Sequence, residues 1–206
     1  MALNSYAALQ TSVADWLNRG DLVAAIPDFI TLAEAGFNRD LRTLEMITRK
    51  TALSDKQYVA LPTDWIEAKN LQVNGADGRP LRLRFVTMDE ADGLRQNSLQ
   101  LPTRYYGIVG RTIELLPTPS SDIEIEMAYY QRVPALATAS TNWLLQKAPD
   151  LYLYGALLQA APYLDNDERV QLWATAVDKT IQSLNTEASV SAYSGSPLVA
   201  KRRTFG

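Results

Sequence analysis

Residues 148–173 read APDLYLYGALLQAAPYLDNDERVQLW. From Leu151 to Pro162 the only non-aromatic polar residue is Gln159. A helix of this composition has no face for water, so protein must cover it on several sides. At about 12 residues it spans ~18 Å, too short to cross a bilayer. Two readings follow. One is the central core helix of a globular domain. The other is a helix buried partly by its own fold and partly by a neighbouring subunit.

Polar residues break the run at Asp165, where Asp165-x-x-Glu168 has the spacing of a helix cap. The helix that follows carries its apolar stripe on Val170, Trp173, Ala174, Val177, Ile181 and Leu184. From Ser189 onward the sequence SVSAYSGSPLVAKRRTFG loses periodicity and reads as an extended arm. At the other end, residues 5–18 form an amphipathic pattern on Tyr6, Leu9, Val13, Trp16 and Leu17, capped by Asn4 or Ser5 and closed by Asn18-Arg19-Gly20. A second helix starts near Pro27 and carries Phe29, Ile30, Ala33, Phe37, Leu41 and Leu44. Gly36 inside it costs about 1 kcal/mol relative to Ala, which points to a close helix crossing there.

Between these helical ends the pattern changes. Residues 57–61, 81–85, 104–109, 112–116 and 122–132 read as strands, and Asn74-Gly75, Asp77-Gly78-Arg79-Pro80 and Gly110-Arg111 as turns. In LRLRF, Leu81, Leu83 and Phe85 face one way and Arg82 and Arg84 the other. Thr87-x-x-Glu90 has capping-box spacing and starts a short helix through Gln96. About four to six mostly antiparallel strands result. The fold class is α+β: a four-helix core, two helices from each end of the chain (1–50 and 133–188), with an inserted β-rich unit (51–132) and an extended C-terminal arm (189–206).

Composition narrows function. The 206 residues carry a net charge of −3, against a protein that coats nucleic acid, though not against one that surrounds DNA without gripping it. Cysteine and histidine are absent, which removes thiolate chemistry, Ser-His-Asp triads and the commonest general base and transition-metal ligand. MALNSYAALQ lacks the basic and apolar regions of a secretory signal, and no apolar run reaches the length of a membrane span. No cofactor is expected.

Five constellations bear on the remaining chemistry. Asp122, Glu124 and Glu126 alternate with apolar residues and share one strand face. Such a row can hold a divalent cation or act as acid and base, can be a solvated face, or can line a channel from which DNA is repelled. Arg82 and Arg84 read either as phosphate contacts or as a solvated face opposite Glu124 and Glu126. Asp165-Asn166-Asp167 lacks the Gly and terminal Glu of a calcium loop and reads as capping. In the arm, Lys201, Arg202 and Arg203 are flanked by Leu198, Val199 and Phe205, a pattern suited to folding on a partner. Gly107-x-x-Gly110 lies in a hairpin and lacks the strand–helix context of a phosphate loop.

The 148–173 stretch resembles the C-terminal helical hairpin of the head-to-tail adaptor (connector) proteins of short-tailed bacteriophages, the tail tubular protein A or portal-adaptor family. YAALQTSVADWLNRGDL…IPDFITLAEAGFNRDLR, residues 6–42, is similar to their opening. The resemblance implies a structural virion protein of the neck, assembled in the host cytoplasm. It implies a closed homo-oligomeric ring on the order of twelve copies. The ring would lie between the portal protein and the tail nozzle protein, around passing DNA and away from any membrane, with the arm clasping the portal. The alternatives are a small carboxylate-dependent metal hydrolase centred on Asp122, Glu124 and Glu126, or a soluble adaptor module outside the virion.

Overall fold

A computed structural model describes residues 3–74, 78–96, 102–164 and 168–192. In chain order its elements are α1 (Tyr6–Leu17), α2 (Ile26–Asp40), β1 (Ile47–Ser54), β2 (Tyr58–Ala60), β3 (Trp65–Asn74), β4 (Pro80–Arg82), β5 (Arg84–Phe85), α3 (Met88–Gln96), β6 (Tyr105–Val109), β7 (Thr112–Leu116), β8 (Ile123–Gln131), α4 (Leu136–Ala139), α5 (Trp143–Lys147), α6 (Pro149–Gln159) and α7 (Arg169–Ser191). The fold is α+β. It divides into two compact units, one built from both ends of the chain and the other from Glu45–Arg132.

The hub of the helical unit is α6. Leu151, Tyr152, Ala156 and Leu157 are fully buried, and α1, α2, α5 and α7 all pack on this helix. The chain's own helices therefore cover it, as the core reading expects. Each leucine so buried is worth roughly 1.5–3 kcal/mol. The close approach is to α2. A Cβ built on Gly155 would stand 2.6 Å from Phe37 Cζ, so only glycine fits. Phe37 then meets the Tyr152 ring edge-on at 5.3 Å. Gly36, assigned this role from sequence, has only Arg39 Nη2 near its Cβ position, at 3.8 Å. The sequence reading placed a close crossing at Gly36, whereas the close approach is at Gly155 of α6.

Helix ends follow their cap chemistry. Ser5 Oγ accepts from the Ala8 N–H at 3.3 Å, and Asn18 closes α1 in the left-handed conformation at φ 50°. Asn142 Oδ1 accepts from the Leu145 N–H at 2.8 Å to start α5. Asn185 of α7 accepts from the Arg42 N–H at 2.8 Å and donates to the Asp40 carbonyl at 2.9 Å, filling groups that the end of α2 leaves open. Trp173, Val177, Leu184 and Ala188 form the buried stripe of α7, which runs to Ser191, past the point where the sequence loses its visible period. The assigned cap residue Asp165 lies outside the described residues. Trp16, placed in the core stripe by spacing, is 45% exposed and packs edge-on against Tyr154, while Ser12 is buried in its stead.

The second unit holds two four-stranded sheets, ordered β1-β8-β3-β4 and β2-β7-β6-β5. Pairing is antiparallel except between β5 and β6. Leu71, Val73, Ile125, Met127 and Tyr129 of the first sheet share one core with Tyr106, Ile113 and Leu115 of the second. The capping box at α3 forms as the spacing predicts: the Thr87 N–H donates to Glu90 Oε2 at 2.9 Å and the Glu90 N–H to Thr87 Oγ1 at 3.4 Å.

Among the described residues, eight strands replace the four to six expected. The missed ones are β1 and β3. In β1 no position is fully buried, so no in–out alternation marks it, and in β3 two register shifts against β8 break the alternation that a reading by period needs. LRLRF is not one strand. The Leu83 N–H bonds the Leu71 carbonyl in the first sheet, and the Arg84 N–H bonds the Arg104 carbonyl in the second. The chain changes sheets between these residues. Phe85 is accordingly 53% exposed, not inward with Leu81 and Leu83.

Candidate functional site

The carboxylate row lies on β8, the second strand of its sheet. Asp122 precedes the strand and is exposed; Glu124 and Glu126 project from one face of it. In register, Glu124 faces Leu53 on β1, and Glu126 faces Thr51 on β1 and Gln72 on β3. Glu126 Oε1 accepts from Arg49 Nη1 at 2.5 Å and Gln72 Nε2 at 3.1 Å, and Glu124 Oε2 accepts from Asn74 Nδ2. Polar neighbours on the same sheet therefore engage both glutamates. Among the described residues no group of three or more acidic side chains is placed to hold a metal ion. The partners are not Arg82 and Arg84. Arg82 sits opposite Gln72 on the far edge of the sheet, and Arg84 belongs to the other sheet.

Those two arginines instead line one cleft with a lysine. A cleft of about 300 Å³ opens where β4 leaves β3 and the chain crosses to β5; Lys69, Asn70, Arg82, Leu83, Arg84 and Tyr106 line it. Phe85 stands at its rim and packs edge-on against Tyr106 at 5.5 Å. Lys69 is the extra residue at the register shift between Ala68 and Asn70. Its ammonium lies 5.2 Å from the Tyr130 ring centre and 3.3 Å from that hydroxyl. None of the three cations forms an ion pair with a carboxylate among the described residues. Arg84 acts on Glu90 through space: the Thr87 backbone and hydroxyl bonds come first in holding that carboxyl below its usual range, and the guanidinium adds to them. The arginine alternation was visible in sequence. The lysine and the aromatic wall were not, because a β-bulge and a change of sheet bring them in.

Two buried carboxylates hold the units together internally. In the helical unit, Glu34 Oε1 accepts from the Leu136 N–H at 2.8 Å and from the Tyr152 hydroxyl at 3.3 Å. Burial pushes the Glu34 carboxyl up, and these hydrogen bonds offset only part of that rise. Burial likewise raises the Tyr152 phenol. In the β unit, Glu114 Oε1 accepts from Arg95 Nε at 2.7 Å and Gln57 Nε2 at 2.9 Å. Sequence reading passed over both residues. Each is a lone glutamate in an otherwise apolar pattern, and that is the signal that marks them.

The arm residues Leu198, Val199, Lys201, Arg202, Arg203 and Phe205 lie outside the described residues, as do Asp165, Asn166 and Asp167. No helix among the described residues is long and apolar enough to cross a membrane.

Helices from both chain ends with a β unit between them in sequence are the α+β plan that the resemblance to phage head-to-tail adaptors implies, and the family match over residues 4–201 makes the class of protein a structural phage adaptor. The chain belongs to the SU10 adaptor protein family, which matches it over residues 4–201. Among curated proteins none matches it.

Proposed function

We propose that the chain is the ring-forming subunit that joins portal to tail nozzle in a phage neck, on the order of twelve copies around the DNA channel. The observation that supports this is the reach of the family match, residues 4–201, which takes in both helical ends, the β unit and the first part of the arm. The role is binding and assembly, without catalysis, in the virion after assembly in the host cytoplasm. Asp122 and Glu124 present exposed carboxylates to the lumen or to solvent. With a net charge of −3 per chain, the ring surrounds DNA without holding it tightly. Leu198, Val199 and Phe205 anchor the arm on the portal, and Lys201, Arg202 and Arg203 pair with acidic groups there.

The test removes residues 193–206, beyond the last described turn of α7. The truncated chain keeps its melting temperature and loses co-sedimentation with portal. Undiminished decoration of portals by the truncated chain overturns the docking role of the arm. A particle neck imaged by electron cryo-microscopy without this chain between portal and nozzle overturns the placement. A gel shift at sub-micromolar protein on bulk duplex DNA would refute the weak-binding channel.

A further inference from the structure

The cleft at the sheet change has the construction of a binding site. Three cations, Lys69, Arg82 and Arg84, line one opening of about 300 Å³, and none is neutralised by an ion pair among the described residues. Like charges lining one opening repel one another, and Glu90, which Arg84 reaches only through space, offsets this without an ion pair, so the arrangement costs stability unless something anionic occupies it. Two backbone irregularities produce it. The bulge at Lys69 adds an extra residue to the edge of the opening, and the chain leaves β3 after Leu83 to join β6. Bulges recur beside functional sites because they re-aim a side chain. Aromatic side chains line it beside the charges, a buried Tyr106 in edge-on contact with an exposed Phe85. Aromatic and arginine side chains together are the composition of interface hot spots.

We propose that this cleft receives an acidic segment of a partner protein, with a carboxylate held between Arg82 and Arg84 and an adjoining apolar side chain resting on Phe85 and Tyr106. The volume lies at the lower end of the ~300–1,000 Å³ range of ligand pockets, which fits a few side chains of an extended segment and not a helix. Charge decides against the chain's own arm as occupant, since Lys201, Arg202 and Arg203 repeat the sign of the cleft. It also disfavours a long polyanion such as duplex DNA, which the net negative chain as a whole repels. Arginine suits the task because its planar fork grips a carboxylate with two parallel hydrogen bonds. This inference rests on the cleft and holds whether or not the arm docks on a portal.

Fluorescence anisotropy on the full chain tests it, with a labelled peptide of alternating glutamate and valine. The same peptide with glutamine for glutamate, and a short oligothymidylate, serve as the other two arms. The glutamate peptide binds, and high salt weakens it. The double substitution Arg82→Gln/Arg84→Gln lowers its affinity by about tenfold or more. Phe85→Ser lowers it by roughly threefold while leaving the salt dependence in place. Both variants stay folded, since these side chains are exposed, and the double variant melts no lower than wild type, since it removes like charges from an empty cleft. Any of four results overturns the proposal. They are no glutamate-peptide binding up to about 1 mM, equal binding of the glutamine peptide, an unchanged affinity in the double variant, or tighter binding of oligothymidylate that the same double variant abolishes. The last would make the cleft a nucleic-acid site.

Discussion

The two units bury a glutamate each and treat it in opposite ways. Glu34 is 7% exposed in the helical unit and meets only neutral donors, a peptide N–H and a phenol. Glu114 is 1% exposed in the β unit and meets the Arg95 guanidinium, itself tied to Asp92 and to the Tyr58 hydroxyl. The difference follows from what surrounds each one. Glu34 lies among helices whose contact residues are nearly all apolar, so no cation is within reach. Glu114 lies on a strand beside the short helix α3, whose last turn supplies an arginine at its solvent end. A buried carboxylate with neutral partners favours its protonated form, whereas one with a cation is held as an ion pair that fails when the cation is removed. The helical unit should therefore respond to pH, and the β unit to loss of charge.

The sharpest break is a carboxylate with neither kind of partner. Leu157→Asp puts one at a fully buried position of α6. The expected loss is about 4 kcal/mol or more, enough to unfold the helical unit. Hydrogen exchange should then show α1, α2, α6 and α7 unprotected while β3 and β8 keep their protection. Loss of protection in both units at once would mean that they unfold as one.

Next in size is Arg95→Met, which strands Glu114 without its cation. The melting transition should fall by on the order of 10 °C. Adding Glu114→Gln to that variant should restore most of it, because the charge rather than the missing contacts is at fault. If the double variant melts no higher than Arg95→Met alone, the guanidinium acts through packing.

The helical unit was more legible in the sequence than the β unit. An apolar helix such as α6 announces its burial through composition, and α2 and α7 show their stripes at the helical period. The errors there were of detail, at Trp16, at Leu44, which lies exposed beyond the end of α2, at the glycine of the crossing and at the end of α7. Strand reading needs an unbroken period of two. In β3 the bulge at Lys69 breaks it, and in LRLRF the strict alternation conceals a change of sheet. The candidate cleft depends on both irregularities, so only its arginines could be read in advance. Glu124 and Glu126 were legible as sharing a face, but their partners Arg49, Gln72 and Asn74 required the register of β1 and β3.

Glycine tests how tightly the apolar unit is built. Gly155→Ala drives a Cβ into the Phe37 ring and should cost about 1–3 kcal/mol. Gly36→Ala meets nothing closer than the end of a flexible arginine and should stabilise by about 0.5–1 kcal/mol through helix propensity. Urea denaturation of the pair measures both. Equal effects would place the close crossing elsewhere.

The smallest expected effect is the one that separates the two glutamates most directly. The Glu34 carboxyl titrates above its ordinary 4.5, chiefly because burial disfavours the charge. A folded-state value above the unfolded one gives stability that is fully present in acid and is lost as pH rises through the folded value. Glutamine at this position has the shape of the protonated acid, accepts the Leu136 N–H and the Tyr152 hydroxyl through its carbonyl, and does not titrate. Glu34→Gln should therefore match wild type in acid and exceed it at neutral pH, by at most about 1 kcal/mol. Urea denaturation at a series of pH values gives the difference curve, which should start near zero below 4.5 and rise to a plateau. A variant less stable than wild type at neutral pH would show that the hydrogen bonds to the ionised carboxylate outweigh its burial. Glu34 and Glu114 would then be held in the same way, and the contrast between the units would fall.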